Sequence, residues 1–88
     1  MQKTNAVVRN QVGLRSRAAT IFVAKASEFT SSVHVQYNEK LINGKSLLGV
    51  LSCSVIGGAT ITIYTDGPDE EKAILELSEL VETGFTDY

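Results

Sequence analysis

Two short runs in this 88-residue chain set a glycine, a cation and a serine ahead of an apolar helical pattern: Gly13-Leu14-Arg15-Ser16-Arg17-Ala18-Ala19 and Gly44-Lys45-Ser46-Leu47-Leu48-Gly49-Val50. A helix start leaves backbone N–H groups unpaired and carries the positive end of the helix dipole, so it is where a folded chain best receives a phosphoryl group or another anion. Ser46 offers a hydroxyl that can be esterified, which would set roughly −1.5 to −2 charges at that helix start. Lys45 adds a cation next to it. Arg15 and Arg17 offer two guanidinium forks able to grip phosphate bidentately. Nothing assembles an enzyme site, because no base stands at motif distance to activate Ser16 or Ser46. Ser16 reads instead as a helix N-cap.

Periodicity supplies the elements that hold these residues. Thr4 to Arg9 reads as a first strand, and the loop after it ends near Ser16. Ala19, Phe22, Ala26 and Phe29 mark one face of a helix over residues 17–29. Ser32 to Tyr37 alternates, with Val33, Val35 and Tyr37 on one side and Ser32, His34 and Gln36 on the other. Asn38-Glu39 turns into a short strand, Lys40-Leu41-Ile42. A short helix follows, capped by Ser46; its length cannot bury the adjacent Leu47 and Leu48 together, so one of them stays exposed. Thr60 to Thr65 is the last strand, and Asp66-Gly67-Pro68-Asp69 leads into a helix striped by Ala73, Leu77 and Leu80 and ended by Thr83-Gly84. The order β-α-β-β-α-β-α predicts an α+β open-faced sandwich in which three helices cover one face of a four-stranded antiparallel sheet.

Composition narrows the function classes. The chain is 43% hydrophobic, which suits one domain over residues 1–88. Its longest apolar run is broken at Gly49 and falls far short of the roughly 20 residues that span a bilayer. No signal-peptide core is visible in the first residues, so a cytoplasmic location is expected. The lone Cys53 reads as a packed thiol. Charge is segregated along the chain: residues 1–65 carry seven cations against two acids, a net +5, while residues 66–88 carry one cation against eight acids, a net −7. That pattern predicts a basic face for acidic or phosphorylated partners and an acidic helix elsewhere. With pI near 5.2 and no aromatic residues among the arginines, direct nucleic-acid binding is not expected.

The element order and both motifs resemble the bacterial histidine-containing phosphocarrier family, HPr, over essentially the whole chain. The family's second motif, Lys-Ser-Ile-Met-Gly-Val-Met-Ser, is similar to Lys45-Ser46-Leu47-Leu48-Gly49-Val50-Leu51-Ser52, and Asp66-Gly67 before the last helix also fits. The first, Gly-Ile/Leu-His-Ala-Arg-Pro-Ala, departs at its reactive residue. Arg15 occupies the position of the histidine that relays a phosphoryl group from a phosphoenolpyruvate-dependent kinase to a sugar-specific carrier. Imidazole has a free lone pair near neutral pH, whereas guanidinium stays protonated, with a pKa above about 12, and offers donors only. Arg17 keeps the family residue, and Ala18 replaces its proline.

The resemblance implies that Ser46 is the target of an ATP-dependent HPr kinase/phosphorylase and that the phosphoserine form acts on a LacI-type catabolite control repressor. It also implies that Leu47, Leu48 and Leu51 form an apolar knob that docks on partner proteins, with no cofactor. A serine switch kept without the histidine resembles the catabolite-repression variant of the family, Crh. That variant usually carries glutamine at the relay position, however, and related variants exchange the first strand to form homodimers. Three readings stand at this point: a non-catalytic regulator switched at Ser46 in carbon catabolite regulation, a phosphocarrier of the sugar phosphotransferase system, or an anion-binding module using Arg15 and Arg17. His34, on the polar side of its strand, is not expected to relay phosphate.

Overall fold

The computed structural model describes residues 1–11 and 13–85, with Ser16 described by its backbone alone. Four strands, β1 (Gln2–Val7), β2 (Ser32–Tyr37), β3 (Lys40–Asn43) and β4 (Thr60–Asp66), form one antiparallel sheet in the order β1-β4-β2-β3. Three helices, α1 (Ser16–Ala26), α2 (Leu47–Ser52) and α3 (Glu70–Glu82), pack on one face. This is the α+β open-faced sandwich that the alternation predicts.

Alternation decides which side chains enter the core. Val33 and Val35 of β2 and Ile61, Ile63 and Thr65 of β4 point under the helices and are fully buried. His34, Gln36, Thr62 and Tyr64 lie on the open face, where the Tyr64 hydroxyl donates to Gln36 Oε1 at 2.8 Å. Phe22 of α1 and Ala73, Leu77 and Val81 of α3 close the core from above. Thr65 is tolerated there because its hydroxyl donates to the carbonyl of Glu70 at 2.8 Å, leaving no orphaned polar atom.

Element ends differ from the periodicity reading where tertiary contacts intervene. β1 spans Gln2–Val7 rather than residues 4–9, because its register with β4 runs from Gln2↔Thr65 to Val7↔Thr60. Beyond it, Arg9 N–H turns to the carbonyl of Val81. α1 stops at Ala26 rather than Phe29: the N–H groups of Glu28 and Phe29 bond three residues back, to Lys25 and Ala26, which tightens the chain out of the helix while Phe29 still reaches the core.

The segregated charges are brought together in space. Lys25 of α1 lies 2.8 Å from Glu76 of α3, and Arg9 lies 3.4 Å from Glu82. Lys25 therefore holds the Glu76 carboxyl below its usual range, chiefly by direct hydrogen bonding. Part of the predicted basic face is thus spent on the acidic helix.

Candidate functional site

The first motif is held rigidly from below. Gly13 has a φ of +73°, and a Cβ there would run into the carbonyl oxygen of Val55, so this turn requires glycine. Leu14 is buried and donates its N–H to Val55 O at 3.0 Å, while the Asn10 side-chain amide donates to Gly13 O at 2.8 Å. Arg15 follows in extended conformation (φ −130°, ψ 159°), and its carbonyl accepts from Ala18 N at 3.0 Å. Arg15 is accordingly the N-cap of α1. This corrects the assignment of Ser16 as the cap: the anchoring of Leu14 starts the helix one residue earlier, and Ser16 is its first turn.

Arg15 and Arg17 are both exposed at this end, and the first turn of α1 holds no acid. Two cations therefore stand at the positive end of a helix dipole, an arrangement an anion would relieve. Neither guanidinium presents a lone pair that could carry a phosphoryl group. His34 is on the sheet, across from Tyr64 and Asn43, on the face away from the helices.

The second motif is built as its residue types predict. Ser46 is the N-cap of α2 (φ −104°, ψ 115°), and its Oγ accepts from Gly49 N at 3.1 Å. Ser46 N donates to the carbonyl of Asn43 at 3.1 Å, and the Asn43 side chain accepts from Lys45 N at 2.9 Å. At the far end of α2, Lys40 Nζ donates to the Ser52 carbonyl at 2.9 Å, a cation placed against the negative end of the dipole. Within α2 only Val50 is buried; Leu47, Leu48 and Leu51 are exposed by 40%, 81% and 39%. More apolar surface faces solvent than the expected single leucine, because a six-residue helix lying over the end of β3 turns only one side chain inward.

Lys45 is placed differently from the simplest expectation. Its ammonium donates to the carbonyl of Phe29 at 2.7 Å instead of standing free beside Ser46. This contact also fixes how the motifs are arranged. The start of α1 is tied to Val55, beyond the end of α2, and the start of α2 is tied to Phe29, beyond the end of α1. α1 and α2 therefore run antiparallel, with Arg15 and Ser46 at opposite ends of a pair about 16 Å long. They make two positions rather than one pocket.

Ile56 was missed by the sequence reading. It is 55% exposed and lies against Gly13, at the Arg15 end of the layer. Its neighbour Val55 is fully buried, and the apolar pair just ahead of the Gly57-Gly58 turn was the signal available in the sequence.

Comparison with known proteins decides the family. The model for the PTS HPr component phosphorylation site matches residues 2–83. The chain belongs to the HPr family. Among its HPr relatives, the HPr-like protein Crh of Halalkalibacterium halodurans is 37% identical over 75 residues, covering 85% of this chain and 89% of the relative. The phosphocarrier protein HPr of Neisseria meningitidis is 36% identical over 85 residues, covering 97% and 96%. The crystal structure of HPr-C-His from Thermoanaerobacter tengcongensis superposes with a TM-score of 0.93 at 36% identity, covering 97% and 96%. That of Crh from Bacillus subtilis, described as a swapped dimer, gives 0.77 at 34% identity, covering 96% and 97%. This HPr-family chain is thus similar to phosphocarriers and to Crh alike. None of its described helices is long and apolar enough to cross a membrane.

Proposed function

We propose that this HPr-family protein is a non-catalytic regulator whose partner binding is set by phosphorylation of Ser46. The observation that carries the reading is the contrast between the two helix starts: Ser46 caps α2 with its oxygen accepting from Gly49 N–H, while the reactive position of the first motif holds Arg15. In the modifying step the Ser46 oxygen bonds to the γ-phosphorus of ATP, the bridge to the β-phosphate breaks, ADP leaves, and the hydroxyl proton goes to a base on the kinase. The phosphate then lies where dipole and N–H groups favour it.

Leu47, Leu48 and Leu51 provide the apolar contact area beside that charge, while at the other end of the helix pair Ile56 provides apolar area and Arg15 and Arg17 provide cations for acidic groups on the partner. The partners that fit are an HPr kinase/phosphorylase and a LacI-type catabolite control repressor or another regulatory protein, in the cytoplasm. The swapped dimer described for Crh, to which this chain is similar, supports a homodimer as a second assembly state, with exchange of β1 the route that the family resemblance implies.

The test is incubation with an HPr kinase and ATP, followed by mass mapping. Phosphate is expected on Ser46 and absent from a Ser46→Ala variant. A second arm, with phosphoenolpyruvate and the general phosphotransferase kinase, is expected to leave no acid-labile phosphate. Transfer in that arm would make the protein a phosphocarrier.

A further inference from the structure

We propose that a phosphate on Ser46 draws the Lys45 ammonium off the carbonyl of Phe29, so that the tie between the start of α2 and the exit of α1 is exchanged for one within the α2 entrance. The proposal rests on the reading of Ser46 as the modified residue and adds what the modification does to the fold.

In the unmodified chain the backbone on both sides of Lys45 is fixed. Lys45 N–H is held by the Asn43 side chain at 2.9 Å and Ser46 N–H by the Asn43 carbonyl at 3.1 Å. The Lys45 side chain is what can move, and its charge sits at the end of a flexible four-carbon stem one residue from Ser46. Its present partner is a neutral carbonyl, 2.7 Å away in a partly buried position. A phosphate dianion offers the same ammonium a charge-assisted bond roughly twice as strong as one between neutral groups.

Other cations are engaged or distant: Lys25, at the same end of α1, is paired with Glu76 at 2.8 Å. Lys40 is bonded to the Ser52 carbonyl at the opposite end of α2, and Arg15 and Arg17 stand at the opposite end of the helix pair. The Ser46 oxygen keeps Gly49 N–H as an ester oxygen, while the phosphate oxygens need new donors. Lys45 is the residue positioned to supply them.

The other side of the exchange is the exit of α1. Residues 28 and 29 leave the helix through bonds of 3.1 and 3.3 Å to residues three back, and the Phe29 carbonyl is held from outside by Lys45. Once released, that carbonyl turns to water and the segment loses its tether to α2. A charge on Ser46 is thereby reported at the exit of the neighbouring helix.

The experiment installs phosphoserine at position 46 during synthesis, so that no kinase is required, with 31P resonance confirming the group. The Phe29 carbonyl 13C resonance is expected to move upfield to the position it takes in unmodified Lys45→Met. Phosphoserine placed in the Lys45→Met background is expected to add no further shift. The Lys45 side-chain 15N signal of the otherwise native chain gives a readout that needs no substitution, and it should change on modification. A phosphorylated chain that keeps the Phe29 and Lys45 signals of the unmodified protein overturns the proposal. Failure of an HPr kinase to modify the native chain, with the shifts intact in the synthetic phosphoprotein, removes the regulatory reading and leaves the exchange standing.

Discussion

Asp69 and Ser31 exchange hydrogen bonds: the Ser31 hydroxyl donates to Asp69 Oδ1 and accepts from Asp69 N–H at 3.1 Å. Ser31 N donates to the same carboxyl at 2.9 Å, and Thr30 donates to its other oxygen through N and Oγ1 at 3.0 and 3.2 Å. A single carboxylate thus fastens the turn before β2 to the start of α3. The N-cap residue of α3 spends its side chain on another element instead of on its own helix.

Acid stability follows from that pair. The hydrogen bonds from Ser31, and secondarily those from Thr30, hold the Asp69 carboxyl far below the usual carboxylate range. A group whose folded pKa is depressed contributes stability that is fully present above its unfolded value, near 3.9, and is lost as pH falls through the folded value. Asp69→Asn should lower the melting temperature at pH 7 and narrow its gap to the native protein as pH drops below about 4. Thermal unfolding across pH 2–7 measures this, and a constant gap would show that ionisation of Asp69 is not the source.

Substitutions at Ser46 separate capping from switching. Ser46→Ala removes the acceptor for Gly49 N–H and should cost about 1 kcal/mol, while Ser46→Asp keeps an acceptor and adds favourable charge at the helix start. The expected order of stability in urea melts is Asp at or above Ser, and Ser above Ala.

Leu48 and Val50 are two residues apart with opposite fates, 81% and 1% exposed. Leu48→Ala should change stability by no more than about 0.5 kcal/mol and weaken binding of the regulatory partner about tenfold. Val50→Ala should destabilise the fold by about 2 kcal/mol. Titration calorimetry paired with denaturant melts distinguishes the two. A large stability loss at Leu48 would contradict its exposure.

Arg15→His places an imidazole at the N-cap of α1, on a turn already fixed by Gly13 and Leu14. This variant is expected to acquire acid-labile phosphate from phosphoenolpyruvate and the general phosphotransferase kinase, at a level below that of a native phosphocarrier because Ala18 stands where the family has proline. The unsubstituted chain in the same assay is expected to show none.

What the amino-acid order determined by itself was everything carried by short-range rules. β2 is bounded by Ser32 and Tyr37 as its alternation dictates, and the Ser46 cap is an interaction with a residue three positions on. That Leu47 and Leu48 cannot both be buried follows from helix geometry alone, whereas the greater exposure of Leu48 was decided by how α2 packs. Only the tertiary structure could decide contacts between distant positions. Asp69 was legible as a residue favouring a helix start, yet its partners lie 38 and 39 residues away. Lys45 was legible as a cation next to Ser46, yet a carbonyl 16 residues back holds it. The ends of β1 and α1 were set by β4, α3 and the tightened exit at Phe29. Local propensity fixes which elements form, but a side chain with a long stem or a multiply accepting carboxylate takes whatever partner the packed fold brings within reach, and no spacing along the chain encodes that.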